Sequence, residues 1–145
     1  MNNEHNARVE SLDEVIAYIH KLKYAVDSGA TIAFVPDRNV DRERDIRYTN
    51  RYTVNDLFPD ENPAEALKRE LALLKVSEYL CTVKDTRYKN SSEFRVFGKQ
   101  FDSKDVYIKI RVDLIGVYGG INVLVLSFHY AEYPFNEDDY PYRHY

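Results

Sequence analysis

The alternation of apolar and polar residues over positions 106–114 most constrains how this chain can fold. The even positions hold Val, Ile, Ile, Val and Leu, and the odd positions hold Tyr, Lys, Arg and Asp. A period of two predicts a β-strand with one apolar and one polar face. The sequence Tyr-Gly-Gly at 118–120 predicts a turn, and residues 121–130 are apolar at both parities until Ser127, which predicts a central strand covered on both sides. These segments together predict an antiparallel hairpin.

Two amphipathic helices are predicted ahead of the hairpin. Residues 11–14, Ser-Leu-Asp-Glu, have the pattern of a capping box, and the apolar residues that follow at helical spacing predict a helix over 12–28. An Asn-Pro pair predicts the start of a second helix over 63–75. Residues 76–83 have no clear period, and we expect a further short helix there.

Short strands are predicted at 31–36 and 94–99. The order of the elements favours a single α+β domain spanning 1–145, with N-terminal helices packed on a C-terminal antiparallel β-sheet of three to four strands. Residues 1–10 are polar, and we expect them to be frayed. Residues 131–145 form an acidic tail rich in aromatic residues.

Composition limits the classes of function. The formal net charge of −4 is unlike the basic surface of a general nucleic-acid-binding protein, although a local basic cleft is compatible with it. Cys81 is the single cysteine, so an intrachain disulfide is excluded. No segment resembles a signal peptide or approaches the roughly 18 apolar residues of a membrane span. We therefore expect a cytoplasmic protein.

Residues 37–53 contain five arginines among four acidic residues. One interpretation is a loop that binds phosphate groups. The other is a solvated loop whose charges compensate one another. The sequence leaves both interpretations open.

The polar positions of the hairpin form a candidate site. A turn centred near Gly119 places Lys109 opposite His129 and Arg111 opposite Ser127. Tyr107 then lies diagonal to His129 on the same face. A shift of one residue in the register would move His129 to the other face.

Two cations of the preceding strand, Arg95 and Lys99, could join this face. Such a set of side chains suits the cleavage of an RNA phosphodiester by its own 2′-hydroxyl group. That reaction needs a base, an acid and positive charge near the developing phosphorane, and it requires no metal. The alternative is that the polar residues form only the solvated face of a sheet.

Each polar side chain of the hairpin has a role in this chemistry. His129 could serve as acid or base, because imidazole ordinarily titrates near neutral pH, and the cleavage rate should then bend between about pH 6 and 7.5. Lys109 and Arg111 could hold the phosphate, and Tyr107 could position it or donate a proton. The other histidines are scattered without the spacing of metal ligands.

The hairpin and the strand before it resemble a known family. The sequences "VFGK" at 96–99, "DVYIKIRV" at 105–112 and "VLVLSFH" at 123–129 are similar to the final strands of the MqsR-like toxins of bacterial toxin–antitoxin systems. The resemblance covers residues 96–130 and is only topological over the first 80 residues. It implies a RelE-like fold and a metal-independent endoribonuclease toxin, an mRNA interferase of a type II system. It also implies an mRNA substrate, a cognate antitoxin protein as inhibitor, and no cofactor.

The resemblance also implies roles for individual residues. Tyr107 matches a catalytic tyrosine, and His129 stands where better-known members have a catalytic lysine. Arg95 would take the part of a family glutamine. Lys84 lies two positions beyond Thr82, where an upstream lysine of the family falls.

We therefore predict two groups of site residues. The catalytic group is His129, Tyr107, Lys109 and Arg95, and the substrate-binding group is Arg111, Lys99, Lys84 and Ser127. The alternative function is a non-catalytic member of the same fold that binds a protein or RNA without cutting it. The acidic net charge and the missing glutamine favour this alternative.

Overall fold

A computed structural model describes residues 7–85, 93–113 and 120–145. The strands in these stretches are β1 (Ala7–Arg8), β2 (Thr31–Phe34), β3 (Tyr79–Val83), β4 (Phe94–Phe101), β5 (Lys104–Asp113) and β6 (Asn122–Tyr130). The helices are α1 (Leu12–Asp27), α2 (Asn50–Leu57) and α3 (Pro63–Ala72). Short 3₁₀ turns lie at Asn39–Glu43, Ile46–Tyr48, Val76–Glu78 and Glu137–Asp139.

The strands form one six-stranded mixed sheet in the order β1-β3-β4-β5-β6-β2. The α+β class is thus confirmed. The prediction of three to four strands in a wholly antiparallel sheet is wrong, because β1 and β3 were not expected and β2 pairs parallel to β6. This parallel pairing joins residues about 90 positions apart, which local sequence patterns do not reveal.

The helices pack on one face of the sheet, which we call the helix face. Its side chains on β5 are the even-numbered apolar residues, and they form a continuous core with the apolar sides of α1 and α3. Alternation along β5 and β6 places Tyr107, Lys109, Arg111, Ser127 and His129 on the opposite face, which we call the polar face. The two faces predicted from the alternation are therefore present over residues 106–113, while residue 114 lies outside the described stretches.

The predicted starts of both helices are confirmed. Ser11 accepts a hydrogen bond from Glu14 N, and the Glu14 carboxylate accepts one from Ser11 N, so the capping box is complete. Asn62 caps α3, with Pro63 in its first turn. The helix α3, which was predicted over 63–75, ends at Ala72, three residues before the predicted end.

The short helix expected over 76–83 is a single 3₁₀ turn followed by β3. All five residues of β3 are buried, because neighbouring strands flank it and both of its faces are covered. A strand buried on both faces has no alternation of apolar and polar residues, which is why the sequence did not predict it.

The first residues of the described chain are held rather than frayed. Ala7 and Arg8 pair with β3, and Glu10 is only 3% exposed. The Glu10 carboxylate accepts hydrogen bonds from the Arg95 guanidinium at 2.7 and 3.1 Å and from Thr82 Oγ1 at 2.5 Å. The expectation of fraying is therefore wrong for 7–10, while residues 1–6 lie outside the described stretches.

The C-terminal segment over 131–145 packs against the sheet. Phe135 and Tyr140 lie so close to Gly98 that an added Cβ would come within 2.6–2.8 Å of their side chains. Tyr142 stacks on Tyr79 with 6.2 Å between the ring centroids. Gly98 thus allows two aromatic rings to cover the sheet directly. Within the three described stretches, no helix is long and apolar enough to cross a membrane.

Candidate functional site

Tyr107 and His129 lie directly opposite each other at the centre of the polar face. Their rings stack with 5.3 Å between centroids and 20° between planes. Lys109 is opposite Ser127, whereas the sequence predicted Lys109 opposite His129. Up to Lys109 the register is therefore two residues from the predicted one, and a shift of two leaves Tyr107, Lys109, Ser127 and His129 on one face as predicted. Beyond Lys109 the difference is three residues.

A bulge in β6 explains the unusual sequence of this strand. Lys109 pairs with Ser127 and Ile110 pairs with Val125, so Leu126 is an extra residue. The extra residue lets apolar side chains before and after it share the helix face, and it turns Ser127 and His129 to the polar face. The predicted turn at 118–120 falls mostly outside the described residues.

The remaining predicted cations of the polar face surround one aromatic ring. Lys109 Nζ and the Arg111 guanidinium lie 5.2 and 5.0 Å from the centroid of the Phe94 ring. Arg111 also forms ion pairs with Asp85 at 3.0 Å and with Asp113 at 3.4 Å. These carboxylates partly neutralise Arg111, so it is a weaker candidate for phosphate binding than its charge alone suggests.

Two arginines from the arginine-rich segment reach the polar face. Arg38 Nη1 donates a hydrogen bond to Ser127 Oγ at 3.2 Å, and Arg44 Nη1 lies 3.5 Å from His129 Nε2. Arg47 and Arg51 instead form exposed ion pairs with neighbouring aspartates. The interpretation as a solvated loop with compensating charges thus describes Arg47 and Arg51, while phosphate binding by Arg38 and Arg44 stays a prediction.

The side chain of Asn50 fastens α2 to the edge of β6. Its Nδ2 donates to Val35 O at 2.7 Å and to Leu126 O at 2.9 Å, and its Oδ1 accepts from Phe128 N at 2.9 Å. β2 ends at Phe34, so this amide replaces the missing strand partner of β6. Asn50 thereby holds the backbone on both sides of Ser127.

Burial strongly changes the chemistry of His129. Its Nδ1 lies 2.9 Å from Tyr130 O and acts as the donor there, which leaves the Nε2 lone pair facing Arg44. Burial, together with the positive charges of Arg44 and Arg38, lowers the pKa of His129 to about 4. The imidazole is therefore neutral at pH 7, and the rate inflection expected at pH 6–7.5 does not apply to the free protein.

Burial raises the pKa of Tyr107 to about 12, and the nearby Arg38 and Arg44 only partly oppose this effect. The phenol is therefore protonated at neutral pH. The site contains one neutral base and one neutral acid side by side, with two guanidinium groups next to them. Such a set can move protons at a bound anion without a change in its own net charge.

Two predicted residues lie on the wrong face for this site. Arg95 belongs to the helix face, where it pairs with Glu10 and lies 4.5 Å from the ring centroid of Tyr18. Lys99 also lies on the helix face, 3.8 Å from Glu78. Strand alternation separates both residues from His129, because β4 directs Gly98 rather than its neighbours to the polar face.

The other predicted ligands have mixed positions. Ser127 is 1% exposed and lies at the site. Lys84 is exposed just after β3, before the Asp85 that pairs with Arg111. Among the described residues, no group of three or more His, Cys, Asp or Glu side chains could hold a metal ion.

Sequence reasoning missed the contributions of Arg38, Arg44 and Asn50. The cluster of arginines was a visible signal, but nothing local indicates which of them faces the sheet. Their positions depend on the parallel pairing of β2 with β6, which brings residues 37–50 to the edge near His129.

No family model, no curated protein and no solved structure matches this chain. The resemblance to MqsR-like toxins therefore stays a prediction.

Proposed function

We propose that the protein is a metal-independent endoribonuclease that cleaves RNA through attack of a 2′-hydroxyl group on the adjacent phosphate. The observation that carries this proposal is the stacked Tyr107–His129 pair with Arg38 and Arg44 beside it on one face of the sheet. The pair supplies an acid and a base, and the arginines supply positive charge without a bound ion.

His129 is the general base in this proposal. Its Nδ1–H is held by Tyr130 O, so the Nε2 lone pair is the group that takes the proton from the 2′-hydroxyl. The 2′-oxygen then forms a bond to phosphorus as the bond from phosphorus to the 5′-oxygen breaks. The products are a 2′,3′-cyclic phosphate and a 5′-hydroxyl end.

Tyr107 is the general acid. A phenol whose pKa is raised to about 12 keeps its proton until a more basic atom forms, and the departing 5′-alkoxide is such an atom. The stacking of the Tyr107 and His129 rings holds the acid and the base next to each other on the polar face. Lys109 is the neighbouring cation on the same strand face.

Arg38 and Arg44 bind the phosphate. In the free protein Arg44 lies against His129 Nε2, and an anionic phosphate would draw the guanidinium away from the imidazole. The added negative charge would also raise the pKa of His129 from about 4 towards the range in which it can accept a proton. Substrate binding therefore prepares the base.

The biological part of the proposal depends on the sequence resemblance over 96–130. In this part the fold is RelE-like and MqsR-like, and the protein is a cytoplasmic toxin that cuts mRNA and is silenced by a cognate antitoxin. A neighbouring gene that relieves growth arrest on co-expression supports this role. Growth arrest that no neighbouring small gene relieves contradicts it.

The activity is tested with purified protein, a long RNA and an excess of chelator. We expect His129→Ala to lower cleavage by about 10²–10⁴-fold and Tyr107→Phe to lower it less. His20→Ala and Tyr24→Phe are matched controls, because both residues are exposed on α1. Wild-type cleavage by folded His129→Ala removes this residue from the mechanism, and loss of wild-type cleavage on chelation contradicts a metal-free reaction.

A second candidate function is binding of RNA without cleavage. The lowered pKa of His129 and the position of Arg44 on its lone pair favour this candidate. It predicts that labelled RNA binds with an affinity that falls steeply with salt, and that the bound RNA stays intact. Arg38→Ala and Arg44→Ala should then weaken binding, while His129→Ala should change it little.

A further inference from the structure

A cleft of about 650 Å³ lies at the edge of the sheet next to the polar face. The arginine-rich segment and α2 form its walls. Its lining includes Asp37, Asp41, Arg44, Ile46, Arg51, Tyr52 and Asp56. Arg44 belongs both to this cleft and to the site, because its Nη1 lies 3.5 Å from His129 Nε2. The cleft and the site at His129 are therefore neighbours that share Arg44.

The cleft combines exposed apolar surface with hydrogen-bond acceptors. Ile46 is 70% exposed and Tyr52 is 37% exposed, so both offer apolar surface to a bound molecule. The tyrosine offers a flat ring on which a planar ligand can stack. The volume accommodates a nucleobase with its ribose.

The charges of the cleft disfavour a second phosphate. Three carboxylates line it against two guanidinium groups, and Arg51 is already paired with Asp37 at 2.5 Å. Arg44 Nη1 lies 3.6 Å from Asp41 Oδ1. A neutral ligand that donates hydrogen bonds suits these acceptors better than an anion.

We propose that this cleft binds the nucleobase next to the scissile phosphate and favours bases with an exocyclic amino group over uracil. The inference rests on the proposed function, in which Arg44 holds that phosphate. The base stacks on Tyr52, and its amino group donates to Oδ1 of Asp56, because Oδ2 already accepts a hydrogen bond from Tyr130 Oη at 2.6 Å and lies 3.9 Å from Lys104 Nζ. Adenine carries such an amino group as N6, cytosine as N4 and guanine as N2, whereas uracil has no amino group and carries the carbonyl oxygens O2 and O4.

The experiment uses short DNA strands that contain a single ribonucleotide, so that only one bond can be cut. The base on each side of that bond is varied among all four, and kcat/KM is measured. On one side we expect uracil to react about 10-fold or more slowly than the three other bases, because a hydrogen bond to a charged acceptor is lost. Equal rates for all four bases on both sides overturn the proposal.

Two variants locate the preference in the cleft. Asp56→Asn should reduce the discrimination against uracil, because the carboxylate acceptor becomes an amide. Tyr52→Ala should lower kcat/KM for every base by about 10-fold through the loss of stacking. Asp60→Asn and Tyr24→Ala are the controls, because both residues are exposed and neither lines the cleft. A preference that Asp56→Asn leaves unchanged overturns the proposal.

Failure of the proposed function is recognised separately. If the wild-type protein cuts none of the strands, cleavage is absent, and the base preference is then measured as the affinity for the same fluorescent strands. Weaker binding of the uracil strands that depends on Asp56 supports the cleft as a base site. Equal affinity for all strands overturns the proposal that the cleft binds a base. The proposal is also overturned if the protein binds none of the strands but binds an arginine-rich peptide in a way that depends on Asp56.

Discussion

Replacement of Asn50 by alanine should destabilise the protein more than any other single polar substitution on α2. Asn50 is 1% exposed, and its amide group makes three hydrogen bonds to the backbone of the chain before α2 and of β6. The substitution removes all three bonds at once. It also leaves Leu126 O and Phe128 N without their partner in buried surroundings.

The expected loss can be estimated from these contacts. Three hydrogen bonds at roughly 1 kcal/mol each, together with the desolvation penalty of the unpaired backbone groups, give about 3–5 kcal/mol. For a chain of 145 residues this corresponds to a decrease in Tm of roughly 10–15 °C. Asn50→Asp should cost at least as much at pH 7, because it places a carboxylate oxygen against two carbonyl oxygens.

The assay is urea denaturation followed by circular dichroism, with Asn55→Ala as the matched control. Asn55 lies on the same helix but is exposed, so its replacement should change the free energy of unfolding by less than about 0.5 kcal/mol. If Asn50→Ala unfolds within about 1 kcal/mol of this control, the amide does not hold the edge of β6, and the reasoning about the site's support is refuted.

Three other substitutions test separate parts of the structure. Because the pKa of His129 is lowered from 6.5 to about 4, the unfolded chain binds more protons than the folded chain between these pH values. The free energy of unfolding should therefore fall by no more than about 3 kcal/mol as the pH drops through this window. His129→Gln should make the free energy of unfolding less dependent on pH in the same window. Gly98→Ala should destabilise the protein by about 1–3 kcal/mol because its Cβ would meet two aromatic rings, whereas Gly120→Ala, with open space around the added Cβ, should not; equal denaturation midpoints contradict this packing. Glu10→Ala should cost about 3–5 kcal/mol in urea denaturation because it leaves the Arg95 charge without its partner, and a loss under 1 kcal/mol contradicts a structural role for this pair.

The fold and the site were predictable where the pattern was local. The alternation over 106–113 predicted β5 and its two faces, and the parity of this strand kept Tyr107 and His129 together although the register differs by two residues. The bulge at Leu126 could not be foreseen, because both parities of β6 are apolar there. β3 was missed for the same physical reason: a strand buried on both faces lacks a period.

The rest of the site depends on long-range pairing. Arg38 and Arg44 reach the polar face only because β2 joins β6 in parallel and the chain then turns over the sheet edge. Arg95 was expected to join the polar face and was given a catalytic role by the resemblance, but the pairing of β4 with β5 places it on the helix face, where it pairs with Glu10. The sequence around Glu10 does not indicate that its carboxylate is buried or that it pairs with Arg95.

The cleavage mechanism proposed for the polar face is tested most directly by the chemical groups at the ends of the RNA fragments that the protein produces. A short RNA is incubated with purified protein in excess chelator, and its fragments are analysed by mass spectrometry. The proposed mechanism predicts a 2′,3′-cyclic phosphate on one fragment and a 5′-hydroxyl on the other, no cleavage where the attacking 2′-hydroxyl is replaced by hydrogen, and loss of both products in His129→Ala. Fragments that carry a 5′-phosphate and a 3′-hydroxyl, or cleavage that continues at the 2′-deoxy position, would contradict it.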